Sequence, residues 1–440
     1  MKLYPRFLVK IILPIAEKLL SIPFTSVLRE WKKLEKLDSE TIQSYQQNKL
    51  SFLLNHATNT VPGYRSLRSD LLLSDFPIAT KEMYRNREEI WISSLFNSKN
   101  LIVEKSSGSS GIQGKVYMTK MESMRSLAHQ TYLWSWSGYE PGQRLLQLGI
   151  TPNRGILKTI KDFFFRVTYK QAFNLDPTDV LKTLKYVERK SSSMIFGGYA
   201  SGLYEYSNLA KRYGIKNVKF KSIISWGDKM FDHYRTSIEA QFDTKVYDTY
   251  GCTEGLMIAG QCEYQSYHIL SPHVYIEILD DDDNPVPDGK MGHVVITRLD
   301  AFAMPLIRYK LGDLAIKAAC TESCQCGRPF PMLKKIIGRD TDLVKTPTGK
   351  TLIVHFFTGV LEHITEIEQF QVVQYTTQEF EIRYLTKQPS EVIKNLLLKL
   401  HNELEVKAAE SLNIRFTQVD IIPPSPSGKP QIIVSHISKL

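Results

Sequence analysis

The stretch Ser106–Lys115, SSGSSGIQGK, decides how the rest of the chain reads. Its glycines leave backbone N–H groups open to an anion and its serines add hydroxyl donors, which together make phosphate-binding chemistry. The runs on either side, LIVEK (Leu101–Lys105) and KVYMT (Lys115–Thr119), are short and β-branched, so the pattern predicts a loop between two strands. A Walker-type loop is excluded: five residues separate Gly108 from Gly114, Val116 follows Lys115 where Ser or Thr is needed, and a strand comes next instead of a helix. On this stretch alone a flexible Ser/Gly linker turn stays open as the alternative.

At 440 residues the chain exceeds one ordinary core, and about two to three domains are expected. Hydrophobic residues at 42% and charged residues at 23% belong to a globular protein, which removes disordered and fibrous classes. The net charge of +10 suits an anionic ligand or an acidic surface. No basic run interleaved with aromatics and no nucleic-acid motif is present, so nucleic acid is not an expected partner. Cys252, Cys262, Cys320, Cys324 and Cys326 make an odd, clustered set without a secretory leader. That points to a reducing cytoplasmic compartment and away from a disulfide framework.

FLVKIILPIAEKLL (Phe7–Leu20) is apolar except at Lys10, Pro14, Glu17 and Lys18, which share a helical stripe. Its charges exclude a spanning helix; an amphipathic helix kinked at Pro14 is expected, docked on the protein itself or on a membrane through residues 5–20. Ser39–His56 predicts a helix with Leu50, Phe52, Leu53 and Leu54 as its apolar part, and Glu122–Trp136 a second helix. Strand-like runs at Leu145–Ile150, Ser193–Gly198 and Lys219–Asp228 then alternate with helical segments at Pro177–Lys190 and Ser201–Tyr213. This alternation predicts an α/β fold with a substantially parallel sheet. From His268 the pattern turns strand-rich, and beyond Gly338 a small α+β module follows. The expected boundaries are 1–338 for the N-terminal domain, with a helical part at 1–70 and a β subdomain at about 268–330, and 339–440 for the C-terminal domain.

Taken in order, SSGSSGIQGK, SWGDK (Ser225–Lys229), YGCTEG (Tyr250–Gly255), IRYKLGD (Ile307–Asp313), GRDTD (Gly338–Asp342) and PSGK (Pro426–Lys429) form one series. The series resembles the acyl-adenylate-forming superfamily over nearly the whole chain. CQCGR and VPGYR make it similar to the branch of phenylacetate–CoA ligase-like and capsular-polysaccharide-biosynthesis proteins. The resemblance implies an AMP-binding domain over 1–338, a mobile lid over 339–440, and attack of a small carboxylic acid on the α-phosphorus of ATP. It implies that Ser106, Ser107, Gly108, Ser109, Ser110 and Gly111 hold the β- and γ-phosphates through hydroxyls and N–H groups. Tyr250 and Gly251 would lie against the adenine, Thr253 would contact the α-phosphate and Glu254 would bind Mg²⁺. Asp313 matches the acid that accepts both ribose hydroxyls, with Arg339 in support. Lys429 matches the mobile lysine that neutralises charge developing during adenylation. Trp226, Gly227 and Asp228 fall where the family lines its adenine and acyl pocket, although Trp226 reads equally well as plain core.

Cys262, His268, Cys324 and Cys326 offer four N/S ligands, the number tetrahedral zinc takes, but their loose spacing leaves metal site and buried thiols both open. The resemblance implies a structural Zn²⁺, with Cys320 as an alternative ligand and Cys252 as a small buried residue. After Arg339 the chain reads LVKTPTGKTLIV, and Thr341 stands at the usual acidic or lysine hinge. This departs from the CoA-forming pattern, so the acceptor is either CoA or another nucleophile on a sugar or carrier. The sequence therefore carries two functions: ATP-dependent acid activation, and a catalytically silent membrane-surface scaffold of a polysaccharide-synthesis complex. The retained Glu254, Asp313, Arg339 and Lys429 favour the enzyme, because a scaffold needs neither a Mg²⁺ ligand nor a mobile lysine.

Overall fold

The computed structural model describes residues 3–67, 72–85, 87–105, 115–149, 155–172, 175–190, 193–252, 255–319, 321–339, 343–349, 351–361, 364, 366–423 and 431–437. It divides into two compact units, 1–311 with 315–336, and 312–314 with 337–440.

The first unit opens on Leu3–Phe7 (α1), a π-helical turn at Leu8–Ile12, and Leu13–Leu20 (α2). Pro14 thus follows a widened turn instead of an abrupt kink, its missing N–H falling in the first turn of α2. Thr25–Leu34 (α3) and Ser39–Thr60 (α4) come next, the latter capped by Asp38, whose carboxylate accepts the Thr41 N–H at 2.7 Å. Leu50, Leu53 and Leu54 of α4 are buried as expected, but Phe52 is 64% exposed. Phe52 falls on the other side of the helix, where it lines a cavity of about 220 Å³ with Phe302 and Lys49. Lys81–Arg85 (α5) leads to the antiparallel pair Ile102–Lys105 (β1) and Lys115–Met118 (β2), which bracket the Ser/Gly stretch as the flanking residues predict. Lys120–Ser135 (α6) begins with a reciprocal cap between Thr119 and Glu122.

The layered part runs Leu145–Gly149 (β3), Gly155–Phe165 (α7), Val167–Gln171 (β4), Pro177–Lys190 (α8), Ile195–Tyr199 (β5), Ala200–Arg212 (α9), Ser222–Trp226 (β6), Asp232–Phe242 (α10) and Val246–Cys252 (β7). Leu256–Gln261 (β8), Tyr267–Ile269 (β9), Val274–Leu279 (β10), Met291–Arg298 (β11), Tyr309–Lys317 (β12) and Met332–Arg339 (β13) complete one 11-stranded sheet in the order β10-β11-β12-β13-β9-β8-β7-β6-β5-β3-β4. Strands β3 to β7 pair in parallel, and β7 then pairs antiparallel with β8. Phe196, Leu203, Ile223 and Phe242 are buried between this sheet and its helices, which is why the parallel strands read as continuous apolar runs. The fold class is the expected one, a large α/β part and a smaller α+β part. In the second unit Leu343–Lys345 (β14) and Thr351–Ile353 (β15) form a hairpin ahead of Val354–Leu361 (α11). Gln369–Gln374 (β16), Glu379–Leu385 (β17), Ser390–Ala408 (α12), Asn413–Gln418 (β18) and Ile433–Ser435 (β19) follow, with the sheet order β18-β17-β16-β19.

One group of charges is sealed inside the first unit. Arg298 is fully buried, donating to Asp300 at 3.2 Å and to the Ser126 hydroxyl at 2.9 Å. The other Asp300 oxygen lies 3.0 Å from His273 Nδ1 and 3.5 Å from His129 Nε2. Burial opposes ionisation of Asp300, but the two imidazoles and Arg298 outweigh it and hold the carboxyl well below its usual range. Burial pushes both imidazoles below theirs. Asp300→Ala strands a buried guanidinium and should cost on the order of 3–5 kcal/mol in denaturant titration; a loss under about 1 kcal/mol would show that the pair anchors nothing. A histidine whose folded pKa is depressed contributes stability above its unfolded value and loses it as pH falls. The unfolding midpoint should therefore drop from about pH 6.5 downward, and less steeply in His129→Asn, with Asp300 failing only at lower pH.

Candidate functional site

The chain leaves β3 toward β4 on one side and leaves β5 toward β6 on the other, so the carboxyl ends of β3 and β5 form the switch point where open α/β sheets bind ligands. The SWGDK and YGCTEG motifs sit on the next two strands of that row. Trp226 ends β6 half-buried, stacked on Trp134 of α6 at 5.0 Å, with its ring over Gly197, where a Cβ would come within 2.7 Å. One face of Trp226 is therefore core. Gly227 has φ +84° and a Cβ there would meet the Tyr199 ring at 2.4 Å, so backbone conformation and packing both demand glycine. Asp228 turns back to accept the Ala200 and Ser201 N–H groups and the Ser201 hydroxyl, capping α9.

On β7 the register shifts between Tyr250 and Gly251, a bulge at the strand end, and a Cβ on Gly251 would lie 2.5 Å from the Leu256 carbonyl oxygen. Tyr250 is 9% exposed, within the hydrophobic core. Asp248, two residues earlier, went unnoticed in the sequence. It is buried, accepts the Ser225 and Tyr267 hydroxyls, and is pushed up by burial. It bolts β6, β7 and β9 together beneath the row. At the base of the Ser/Gly stretch, Lys115 donates to Glu88 at 2.9 Å and Tyr117 to the same carboxylate at 2.6 Å, which pushes the phenol up to about 12. Ser106, Ser107, Gly108, Ser109, Ser110, Gly111, Thr253, Glu254 and Lys429 lie outside the described residues. In the second unit Arg339 Nε donates to Asp313 at 3.1 Å, so these two motif residues meet.

The fold brings Cys262, His268, Cys324 and Cys326 together, their ligand atoms all within 4.8 Å. Cys262 and Cys324 sulfurs are 3.6 Å apart, too far for a disulfide and close to the about 3.8 Å that tetrahedral Zn–S bonds of about 2.3 Å impose. His268 Nδ1 donates to the Phe330 carbonyl at 3.1 Å, which leaves Nε2 as the lone-pair nitrogen, 3.2 Å from Cys326. Burial pushes the Cys262 thiol up to about 11. Arg328 is held by Glu263 at 2.7 Å and Glu35 at 3.0 Å beside these sulfurs. The donor set fits tetrahedral zinc. His129, His273 and Asp300 also converge within 4.8 Å, but Arg298 already pairs with that lone carboxylate and Lys49 lies close behind it, so a dication there would leave buried positive charge in excess.

A family model described as the CapK C-terminal domain matches residues 344–436. Phenylacetate-coenzyme A ligase of Thermus thermophilus is 36% identical over 115 residues, a stretch covering only 25% of this chain and 25% of that enzyme. Protein CapK of Staphylococcus aureus is 22% identical over 384 residues, 83% of this chain and 80% of that protein. The chain is similar to members of the acyl-adenylate-forming superfamily. Among these, it is related to the phenylacetate–coenzyme A ligase and CapK branch. The crystal structure of 2-hydroxyisobutyryl-CoA ligase in the postadenylation state with R3-HIB-AMP has the same fold, with a TM-score of 0.74 at 14% identity over 92% of this chain and 91% of that one.

Gly227→Ala should destabilise by on the order of 1–3 kcal/mol, because a Cβ is strained at positive φ and strikes Tyr199. An unchanged melting temperature would show that the β6 end yields freely and does not shape the crevice.

Proposed function

We propose that the protein is an adenylate-forming ligase. It activates a small carboxylic acid with ATP and Mg²⁺ as an acyl-AMP and passes the acyl group to an acceptor in surface-polysaccharide assembly. The observation that carries this is the row of strand ends β5, β6 and β7, with Tyr199, Trp226–Asp228 and Tyr250–Gly251 in succession beside the switch point. A carboxylate oxygen attacks the α-phosphorus, the bond to the bridging oxygen of the β-phosphate breaks, and pyrophosphate leaves with the electron pair. The acceptor nucleophile then attacks the acyl carbon and AMP departs.

In this scheme the hydroxyls and N–H groups of Ser106–Gly111 hold the leaving phosphates, Thr253 contacts the α-phosphate and Glu254 offers the hard oxygen that Mg²⁺ takes. Tyr250 and Gly251 border the adenine, Trp226–Asp228 border the adenine and acyl group, and Asp313 takes the ribose hydroxyls. The Arg339 guanidinium, already on Asp313 at 3.1 Å, orients that carboxylate. Residues 339–440 act as a lid over 1–338 that delivers Lys429 to the developing charge. Phenylacetate–CoA ligases name CoA as acceptor, but here residues 344–436 match the CapK C-terminal domain, and β14–β15 carries Lys345–Thr351, KTPTGKT. This supports an amine or hydroxyl of a sugar or carrier as the acceptor. A cytoplasmic location with peripheral membrane contact through residues 5–20 belongs to the same proposal.

Pyrophosphate exchange into ATP across a panel of aryl, amino and short-chain acids tests it; no exchange with any acid would sink the enzyme. Lys429→Ala should lower adenylation by about 10²–10³-fold with ATP affinity nearly unchanged. Activity within a few-fold of wild type removes the lysine from the chemistry, and rapid saturable thioester formation with CoA overturns the acceptor.

We further propose a structural zinc on Cys262, His268, Cys324 and Cys326; four protein ligands leave no position for water. Protein purified without chelator should contain one zinc per chain, and chelation or Cys324→Ser should lower the melting temperature. Zinc-free protein of unchanged stability would reject the site.

A further inference from the structure

Leu3, Phe7, Ile11, Ile15 and Leu19 recur at every fourth position of the N-terminal helix and are 85%, 49%, 46%, 54% and 77% exposed. The inner side of the same helix is the one that packs: Pro5 and Leu8 are buried, and Leu13 joins the cluster of Phe24, Val27 and Trp31. An α-helix turns about 100° per residue, so each four-residue step drifts by about 40° and a stripe of five would wind off its face. The π turn at Leu8–Ile12 rotates less per residue and takes back part of that drift.

Helix α7 adds a second arm. Its Ile156, Ile160 and Phe163 are 81%, 49% and 78% exposed at i, i+4 and i+7. The two elements touch: the Tyr4 hydroxyl donates to the Phe164 carbonyl at 2.8 Å, and the Arg166 guanidinium lies 3.8 Å from the Tyr4 ring centroid. Phe24 and Phe165 meet edge to face at 6.5 Å.

The charges around these apolar side chains share one sign. Arg6, Lys10, Lys18, Lys158, Lys161 and Arg166 are exposed. Of the acidic residues on the two arms, Glu17 accepts from the Thr25 and Ser26 N–H and hydroxyl groups, and Asp162 is buried. A second copy docked by twofold symmetry would set these cations against their own kind. Apolar side chains ringed by cations suit an anionic lipid surface, where each Lys or Arg near the headgroups contributes about 1 kcal/mol and the apolar side chains enter the acyl boundary. Among the described residues no helix is long and apolar enough to cross a membrane, so the platform lies on it.

We propose that the N-terminal helix and α7 together form a two-armed platform that seats the enzyme on an anionic bilayer, α7 inserting directly. This rests on the membrane contact proposed above for residues 5–20 and extends it to α7. Full-length protein should co-sediment with phosphatidylcholine–phosphatidylglycerol vesicles, weakly with phosphatidylcholine alone, and less at high salt. Ile156→Asp with Phe163→Asp, and separately Phe7→Asp with Leu19→Asp, should each reduce binding by about tenfold or more without changing the melting temperature, since all four side chains face solvent. If only the N-terminal pair matters, α7 drops out and the contact through residues 5–20 stands. If wild type binds no vesicles, both fall. Concentration-dependent dimers abolished by the α7 substitutions, without vesicle binding, would give the face to a second copy and overturn the platform.

Discussion

Strand β7 must satisfy a parallel ladder on one edge and an antiparallel ladder on the other, and the first unit is arranged around that requirement. Parallel pairing with β6 places the ends of β5, β6 and β7 in one row, while antiparallel pairing with β8 sends the chain back into the strand-rich half. Along β7 the parallel pairs with β6 span Val246–Asp248 and the antiparallel pairs with β8 span Thr249–Cys252, so the slanted and the square bonding patterns occupy successive parts of the strand. The Tyr250/Gly251 bulge interrupts the antiparallel ladder at the strand end, and buried Asp248 ties β6 and β9 to β7 by accepting a hydroxyl from each. The part of the chain that bears the motif residues is thus also the part where the sheet changes character.

Helix α6 is the second fixed point. Its Glu122 closes the reciprocal cap with Thr119 and also accepts the Phe302 and Ala303 N–H groups, so one carboxylate joins the end of β2 to the segment after β11. Ser126 on the same helix receives Arg298, and Trp134 near its end stacks on Trp226. Because β2 runs directly into α6, these contacts set where the Ser/Gly stretch is tethered, and the Lys115 and Tyr117 bonds to Glu88 hold the same flank at its near end.

What was legible in the sequence followed burial on both faces. Leu145–Gly149, Ile195–Tyr199 and Ser222–Trp226 lie inside the sheet and announce themselves as apolar runs. Val167–Gln171 went unseen because it is the edge strand, half-exposed along its length and written with mixed residues. Helix α7 went unnamed although its period is written in the sequence, with Ile156, Ile160 and Phe163 recurring at helical spacing and Lys158, Thr159 and Lys161 between them. What the sequence could not tell is that this apolar face is exposed. The four metal-type ligands could be named but not joined, since 62 residues separate Cys262 from Cys324 and only the fold closes that gap. His129, His273 and Asp300 carried no signal at all, coming from a helix and two connections far apart in the chain. Asp313 and Arg339 were each legible as motif residues, but their contact was not.

Asp228 has a consequence for the kind of matter the crevice can hold. The N-terminus of a helix that follows a parallel strand is where an α/β sheet ordinarily receives an anion, because its first N–H groups are unpaired and its dipole points outward. In this protein that berth at α9 is taken by a carboxylate of the chain itself. A phosphate drifting toward the end of β5 meets a resident negative charge where a bare helix would have attracted it. The N-terminus of α9 is thereby closed to an anion, and the corner between Tyr199 and Trp226 is left to flat or weakly charged groups.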